Sequence, residues 1–159
     1  MGDLRDIPDP LALENQVCFA LAVAARGVVA AYRPLLEPMG LTHPQYLVML
    51  ALWQHRRLSV KELGALLQLD PGTLSPLLKR LEAAGLVRRD RDSRDERLLR
   101  VTLTPRGREL RAQAERIPAA ILERLGMDLA ELQALHAALT RVIAAAGNAV
   151  AAGPGVTGR

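Results

Sequence analysis

The chain has one cysteine, Cys18, in 159 residues, so it holds no intramolecular disulfide, and the thiol is inert, reactive or a link to another chain. Phe, Trp and Tyr make up only 3% of it, while alanine, leucine and arginine are abundant, a balance that favours helix over sheet. The histidines, His43, His55 and His136, lie far apart with no ligand spacing, which argues against a metal site. A phosphate-cradling glycine loop and a nucleophile elbow are both missing. No enzyme, cofactor or metal is therefore expected. No apolar run reaches the roughly 18 residues of a membrane helix, and residues 1–10, rich in Pro and Asp, lack the apolar centre of a signal peptide. A cytoplasmic protein that does not enter the membrane is expected.

What is present is 50% hydrophobic residues, a net charge of +4 and a pI near 10.0. The length fits one domain, 1–159, and the positive balance raises the odds of a polyanionic partner. Residues 1–10 and 149–159 read as flexible tails.

Apolar residues Leu13, Val17, Leu21, Ala24 and Val28 recur at helical spacing, and this first helix is expected to end near Tyr32, ahead of Pro34. Pro44 opens a second helix containing the apolar block 47–53. Ser59 with Glu62 forms a capping box for a short third helix. Asp70 and Pro71 start a fourth, with Leu74, Leu77, Leu78 and Leu81 as its buried stripe and Pro76 delaying or kinking it. After Gly85 the period changes to an alternating one, giving a two-stranded arginine-rich hairpin. Thr104 and Pro105 begin another helix, bent by Pro118, and Asp128 caps the last.

The expected fold is mainly α with a small β-wing: a winged helix-turn-helix lobe at 44–104, flanked by dimerisation helices at 11–40 and 105–148. The fourth helix would enter a major groove. Gly72, Thr73 and Ser75 could approach bases or phosphates there, with Lys79 and Arg80 adding charge further along. The hairpin carries Arg88, Arg89, Arg91, Arg94, Arg97 and Arg100, and a wing of this kind can place an arginine in a narrow minor groove. Charged hairpins are also common as plain solvated turns. What favours the nucleic-acid reading is its place directly behind a helix-turn-helix.

The runs LTHPQYLVMLALW, LSVKELGALLQLDPGTLSPLLKRLEAAGLVRR and DSRDERLLRVTLTPRG resemble the MarR family of bacterial transcription regulators. The resemblance implies a homodimer on a pseudo-palindromic double-stranded DNA operator, recognition helices roughly 34 to 36 Å apart, a wing aspartate, Asp95, that braces the wing, and an arginine, Arg97, that reaches the minor groove. Arg94 belongs to the same DNA-binding set.

The segment LENQVCFALAVAARGVVAAYRPLLEPMGL looks like the organic-hydroperoxide-sensing, OhrR-like branch of one-cysteine type, with Cys18 as the redox-sensing thiol. That implies a repressor released when the thiol is oxidised, with an external low-molecular-weight thiol needed for resolution. Tyr32 and His43 would form the hydrogen-bonding environment of the thiol; His43 replaces the branch's tyrosine, and Ala22 stands where a tyrosine is often found. A protonated His43 would also lower the thiol pKa. The alternative keeps DNA binding but gates it by a reversible small aromatic ligand, with Cys18 a small buried structural residue. A thiol peroxidase would leave the basic wing unexplained.

Overall fold

The computed structural model describes residues 9–95 and 97–151, so the expectation of flexible tails falls mostly outside the described residues. Two compact units are present, Met1–Pro118 and Ala119–Arg159. Within the first, helix α1 (Val17–Leu36) is followed by a 3-10 turn at Glu37–Met39, then by α2 (His43–His55), β1 (Arg57–Ser59), α3 (Val60–Leu67), α4 (Pro71–Ala83), β2 (Val87–Arg91), β3 (Leu99–Leu103), α5 (Pro105–Glu109) and α6 (Arg111–Ala114). Helix α7 (Ile117–Leu125) straddles the division, and α8 (Leu129–Ala151) belongs to the second unit.

Helix α1 starts later and ends later than its sequence implies. Leu13 lies in a separate 3-10 turn at Leu13–Asn15, and the chain before it is tied back, Asn15 Nδ2 donating to the Asp9 carbonyl at 2.7 Å and Gln16 Nε2 to that of Pro10 at 2.6 Å. At the other end α1 runs through Pro34. Proline removes one helical hydrogen bond; burial of Leu36 and the packing of Tyr32 and Leu35 on the core hold the last turn in place. The stretch Val17–Met39 is also long and apolar enough to cross a membrane, with mean hydropathy 1.4. That corrects the expectation that no such stretch exists. Little of it is buried within the chain.

Helix α2 is the centre of the core. Thr42 and Gln45 form a capping box at its start, and Val48, Met49 and Leu52 are fully buried, each side chain stabilising the fold by roughly 1.5–3 kcal/mol. Leu63, Leu74, Leu78, Leu81, Val87 and Val101 close around them from α3, α4 and the sheet. The short helices begin at the caps read from sequence. Ser59 Oγ accepts from Glu62 N while Glu62 Oε2 accepts from Ser59 N at 2.7 Å, and Asp70 Oδ1 accepts from Thr73 N at 2.9 Å.

Three expectations need correcting. Helix α4 is continuous from Pro71 with Pro76 inside it. The carbonyl that a proline at 76 cannot reach with a hydrogen bond belongs to Gly72, an exposed residue. The wing is three-stranded in the order β1-β3-β2, because Arg57, Leu58 and Ser59 pair with Thr102, Val101 and Arg100. The break near Pro118 falls before it, after Ala114, the residue whose carbonyl a proline at 118 cannot reach with a hydrogen bond. In the second unit, Asp128 and Glu131 cap α8 reciprocally, at 2.8 and 2.9 Å. The helix continues through 149–151, residues expected in the tail.

Candidate nucleic-acid interface and thiol site

On α4 the apolar stripe faces the core, which leaves Gly72, Thr73, Lys79 and Arg80 exposed and Ser75 half-buried. Gly72, Ser75 and Lys79 follow one another at three- and four-residue steps and so share a face. Thr73 is already engaged. Its hydroxyl donates to Asp70 Oδ2 at 2.8 Å, and that bond, with the Thr73 N–H, holds the Asp70 carboxyl below its ordinary pKa. A phosphate approaching the start of α4 therefore meets a committed hydroxyl and a fixed negative charge.

The wing arginines divide into two groups. Arg89 clasps Glu82 at the end of α4, with Nε at 3.0 Å and Nη2 at 2.7 Å from Oε2, and so ties α4 to β2. Arg100 Nε donates to Asp92 Oδ2 at 2.6 Å and its Nη1 to Glu62 Oε2 at 3.0 Å, joining the wing to the start of α3. Arg88 pairs with exposed Asp90. The side chains of Arg94 and Arg97 are exposed and make no ion pair among the described residues. Arg97 lines a cleft of about 530 Å³ with Lys61, Gly64 and Pro71, so the wing tip borders the start of α4.

Bracing by a wing aspartate is shared between two residues. Asp95 Oδ1 accepts from Arg97 N at 3.0 Å and shapes the exposed tip. Asp92, only 6% exposed, holds the base: it accepts from Arg100, from Arg57 Nη2 at 3.2 Å and from Arg94 N at 2.8 Å. The sequence reading assigned no role to Asp92. Its signal was a carboxylate flanked by arginines on both strands. The Arg100 and Arg94 hydrogen bonds pull its pKa from 3.8 to about 2. Because the folded value lies below the unfolded one, the stabilisation is complete above 3.8 and is lost as pH falls toward 2. Amide protection in β2 and β3 is expected to decline across that window, and Asp92→Asn to start with weaker protection that no longer responds to it. Hydrogen exchange measures this; identical pH profiles for the two proteins would assign the decline to another group.

The thiol residues are not together within one chain. Cys18 is exposed near the start of α1 and Tyr32 lies fourteen residues further along the same helix, a separation of roughly 21 Å. Tyr32 instead meets His43 edge-on, with ring centroids 4.9 Å apart, and Tyr46 at 5.9 Å. Burial raises the pKa of Tyr32, which keeps its proton to donate, and lowers that of His43. Burial thus disfavours the charged form of His43, and the ring can still donate one hydrogen bond.

The sequence pattern described as the MarR family matches residues 41–99. The organic hydroperoxide resistance transcriptional regulator of Bacillus subtilis is 44% identical over 128 residues, 79% of this chain and 87% of that protein. The chain belongs to the MarR family. Members of this family are transcription regulators and not enzymes. This MarR-family chain is also 51% identical over 127 residues to the HTH-type transcriptional regulator TtmR of Methylorubrum extorquens, a match that covers 80% of the chain but 65% of that longer relative. A structure of reduced AbfR bound to DNA superposes with a TM-score of 0.77 at 31% identity, covering 90% of this chain and 98% of that one. The winged helix-turn-helix fold and the one-cysteine OhrR-like likeness read from sequence agree with these relatives.

Proposed function

We propose that the chain is a cytoplasmic, homodimeric repressor that leaves a pseudo-palindromic DNA operator when an organic hydroperoxide oxidises Cys18. The observation that carries this reading is the layout of α1: an exposed thiol near one end and, at the other, the Tyr32 phenol packed against the His43 imidazole. A second copy packed against α1 in the opposite direction brings each Cys18 to the Tyr32 and His43 of the partner subunit. The apolar side chains that α1 leaves exposed, Val17, Phe19, Val23 and Val29, are what such packing would cover. Leu129, Leu135, Val142 and Ile143 of α8 are exposed in the same way.

In the reaction the thiolate attacks one peroxide oxygen, an S–O bond forms as O–O breaks, and the alkoxide leaves as an alcohol after taking a proton. The sulfenic acid then condenses with an external low-molecular-weight thiol, releasing water, and a second such thiol restores Cys18 by exchange. DNA contact rests on Gly72, Thr73, Ser75, Lys79 and Arg80 of α4 and on Arg94 and Arg97 of the wing, which Asp95 shapes. Release requires that the oxidised dimer favour a spacing of recognition helices that no longer fits the operator.

Fluorescence anisotropy with DNA from upstream of the protein's own gene tests the reading. Reduced protein is expected to bind, lose the DNA on peroxide treatment and regain it with thiol. Binding that ignores peroxide would remove Cys18 from the mechanism; a response retained by Cys18→Ser would favour gating by a reversible ligand. Lys79→Ala is expected to weaken binding similarly on all DNA sequences and to lower the salt slope by about two, one phosphate contact for each subunit. An unchanged slope would take Lys79 off the backbone.

A further inference from the structure

We propose that Arg100 is a positioning residue for DNA binding: touching no DNA, it holds Arg97 of the wing tip and Lys61 of α3 across one cleft, so that both cations meet the same stretch of duplex. Arg100 sits where the three strands are joined, opposite Ser59 on β1 and Asp90 on β2. Its side chain is only 25% exposed, and its nitrogens are committed in two directions. Nε donates to Asp92 Oδ2 at 2.6 Å and Nη1 to Glu62 Oε2 at 3.0 Å. Asp92 holds the turn of the wing, accepting from Arg94 N at 2.8 Å while its own N–H donates to the Leu98 carbonyl at 2.8 Å. Glu62 Oε2 also accepts from Ser59 N, the capping bond that starts α3. One guanidinium therefore joins the turn that carries Arg97 to the helix that carries Lys61. Such a link resists bending, because breaking it would leave the buried Asp92 carboxylate short of a charged partner.

Lys61 is a cation that the sequence reading left without a role. It is exposed in the first turn of α3 and makes no ion pair among the described residues. A positive charge at that end of a helix opposes the helix dipole, so Lys61 does nothing for the helix it sits on. It lines the same cleft as Arg97 and Pro71, which places it on the surface shared by the wing tip and the start of α4. There an ammonium can take a backbone phosphate as a point charge, with Arg97 in the groove beside it. Pairing separates the two kinds of cation. Neither Lys61 nor Arg97 has an acid partner among the described residues, whereas Arg100 has two.

Fluorescence anisotropy of the full reduced protein on DNA from upstream of its own gene tests this through the sign of an effect. Glu62→Gln removes a negative charge from the DNA-facing lobe and keeps a side chain able to cap α3. Charge alone would then tighten DNA binding. Loss of positioning loosens it, so Glu62→Gln and, separately, Asp92→Asn are expected to weaken affinity at least about twofold. Arg97→Ala is expected to cost at least about tenfold in the unaltered protein, but less than about twofold in an Arg100→Gln background, where the tip is no longer held in place. Lys61→Ala is expected to lower the salt slope by about two, one phosphate for each subunit. Circular dichroism confirms that each variant is folded. Tighter binding by both acid variants, an Arg97→Ala cost equal in the two backgrounds, or a salt slope that ignores Lys61 would each overturn the proposal. It presupposes that the wing meets DNA, and Arg97→Ala without effect in either background would sink that reading instead.

Discussion

Replacing Gly107 by alanine is expected to destabilise the winged lobe by about 3 kcal/mol, the largest effect of any single methyl group in it. A Cβ at 107 would fall on the carbonyl oxygen of Leu86, lie 3.0 Å from that carbonyl carbon and press Leu103 Cδ2 at 3.3 Å. The obstacle is backbone and cannot swing aside: Leu86 O is held by the Thr104 N–H at 3.1 Å. Gly107 cannot retreat either. Its N–H donates to Thr104 Oγ1 at 3.0 Å, its carbonyl accepts from Trp53, and Thr104 itself is anchored on the Gly85 carbonyl at 2.6 Å. Overpacking of this kind costs about 1–3 kcal/mol, and straining two hydrogen bonds adds about 1 kcal/mol each. Alanine's better helix propensity returns about 1 kcal/mol. Urea unfolding followed by Trp53 emission measures the loss, and the same residue reports whether the indole has left its acceptor. A loss below about 1 kcal/mol would mean that α5 slides freely along β3, and the close approach of α5 to the strand would then not be what sets the base of the wing.

The features legible from sequence are those whose determinants lie within a few residues. The Ser59–Glu62 box, the Asp70 cap and the Asp128 cap are contacts between residues three apart, and each starts its helix where expected. Strand β1 was missed because three residues carry no period, and its cause is pairing with Arg100, Val101 and Thr102 more than forty residues later. Helix α1 passes Pro34 because Leu36 is buried by groups that no local pattern displays. The same limit applies at the candidate site. A family pattern pointed to Asp95, whose partner is two residues away; the buried carboxylate is Asp92, completed by Arg57 from 35 positions upstream. The lowered pKa of His43 likewise follows from burial, a property of the fold that a pattern of residue types does not show.

Mixed dimers are expected to show that Cys18 is activated across the subunit boundary. One continuous helix carries both Cys18 and Tyr32, and the roughly 21 Å between them excludes a hydrogen bond within a chain, which needs less than about 3.5 Å. If the phenol stabilises the developing thiolate, it does so in trans. In a dimer pairing a Cys18→Ser chain with a Tyr32→Phe chain, the only thiol faces the intact Tyr32 of the other chain, and hydroperoxide is expected to oxidise it at the rate of the unaltered protein. Place both substitutions on one chain and pair it with an unaltered one, and the only thiol faces phenylalanine. Loss of a hydrogen bond to a charged group, about 1.5–3 kcal/mol, then slows oxidation roughly ten- to a hundredfold. Both dimers contain one cysteine and one tyrosine at these positions, so composition cannot explain a difference between them. Stopped-flow thiol consumption with tagged, purified mixed dimers gives the two rates. Equal rates would exclude Tyr32 from the chemistry, and the reverse order would require α1 to bend back on itself, contrary to its continuous run from Val17 to Leu36.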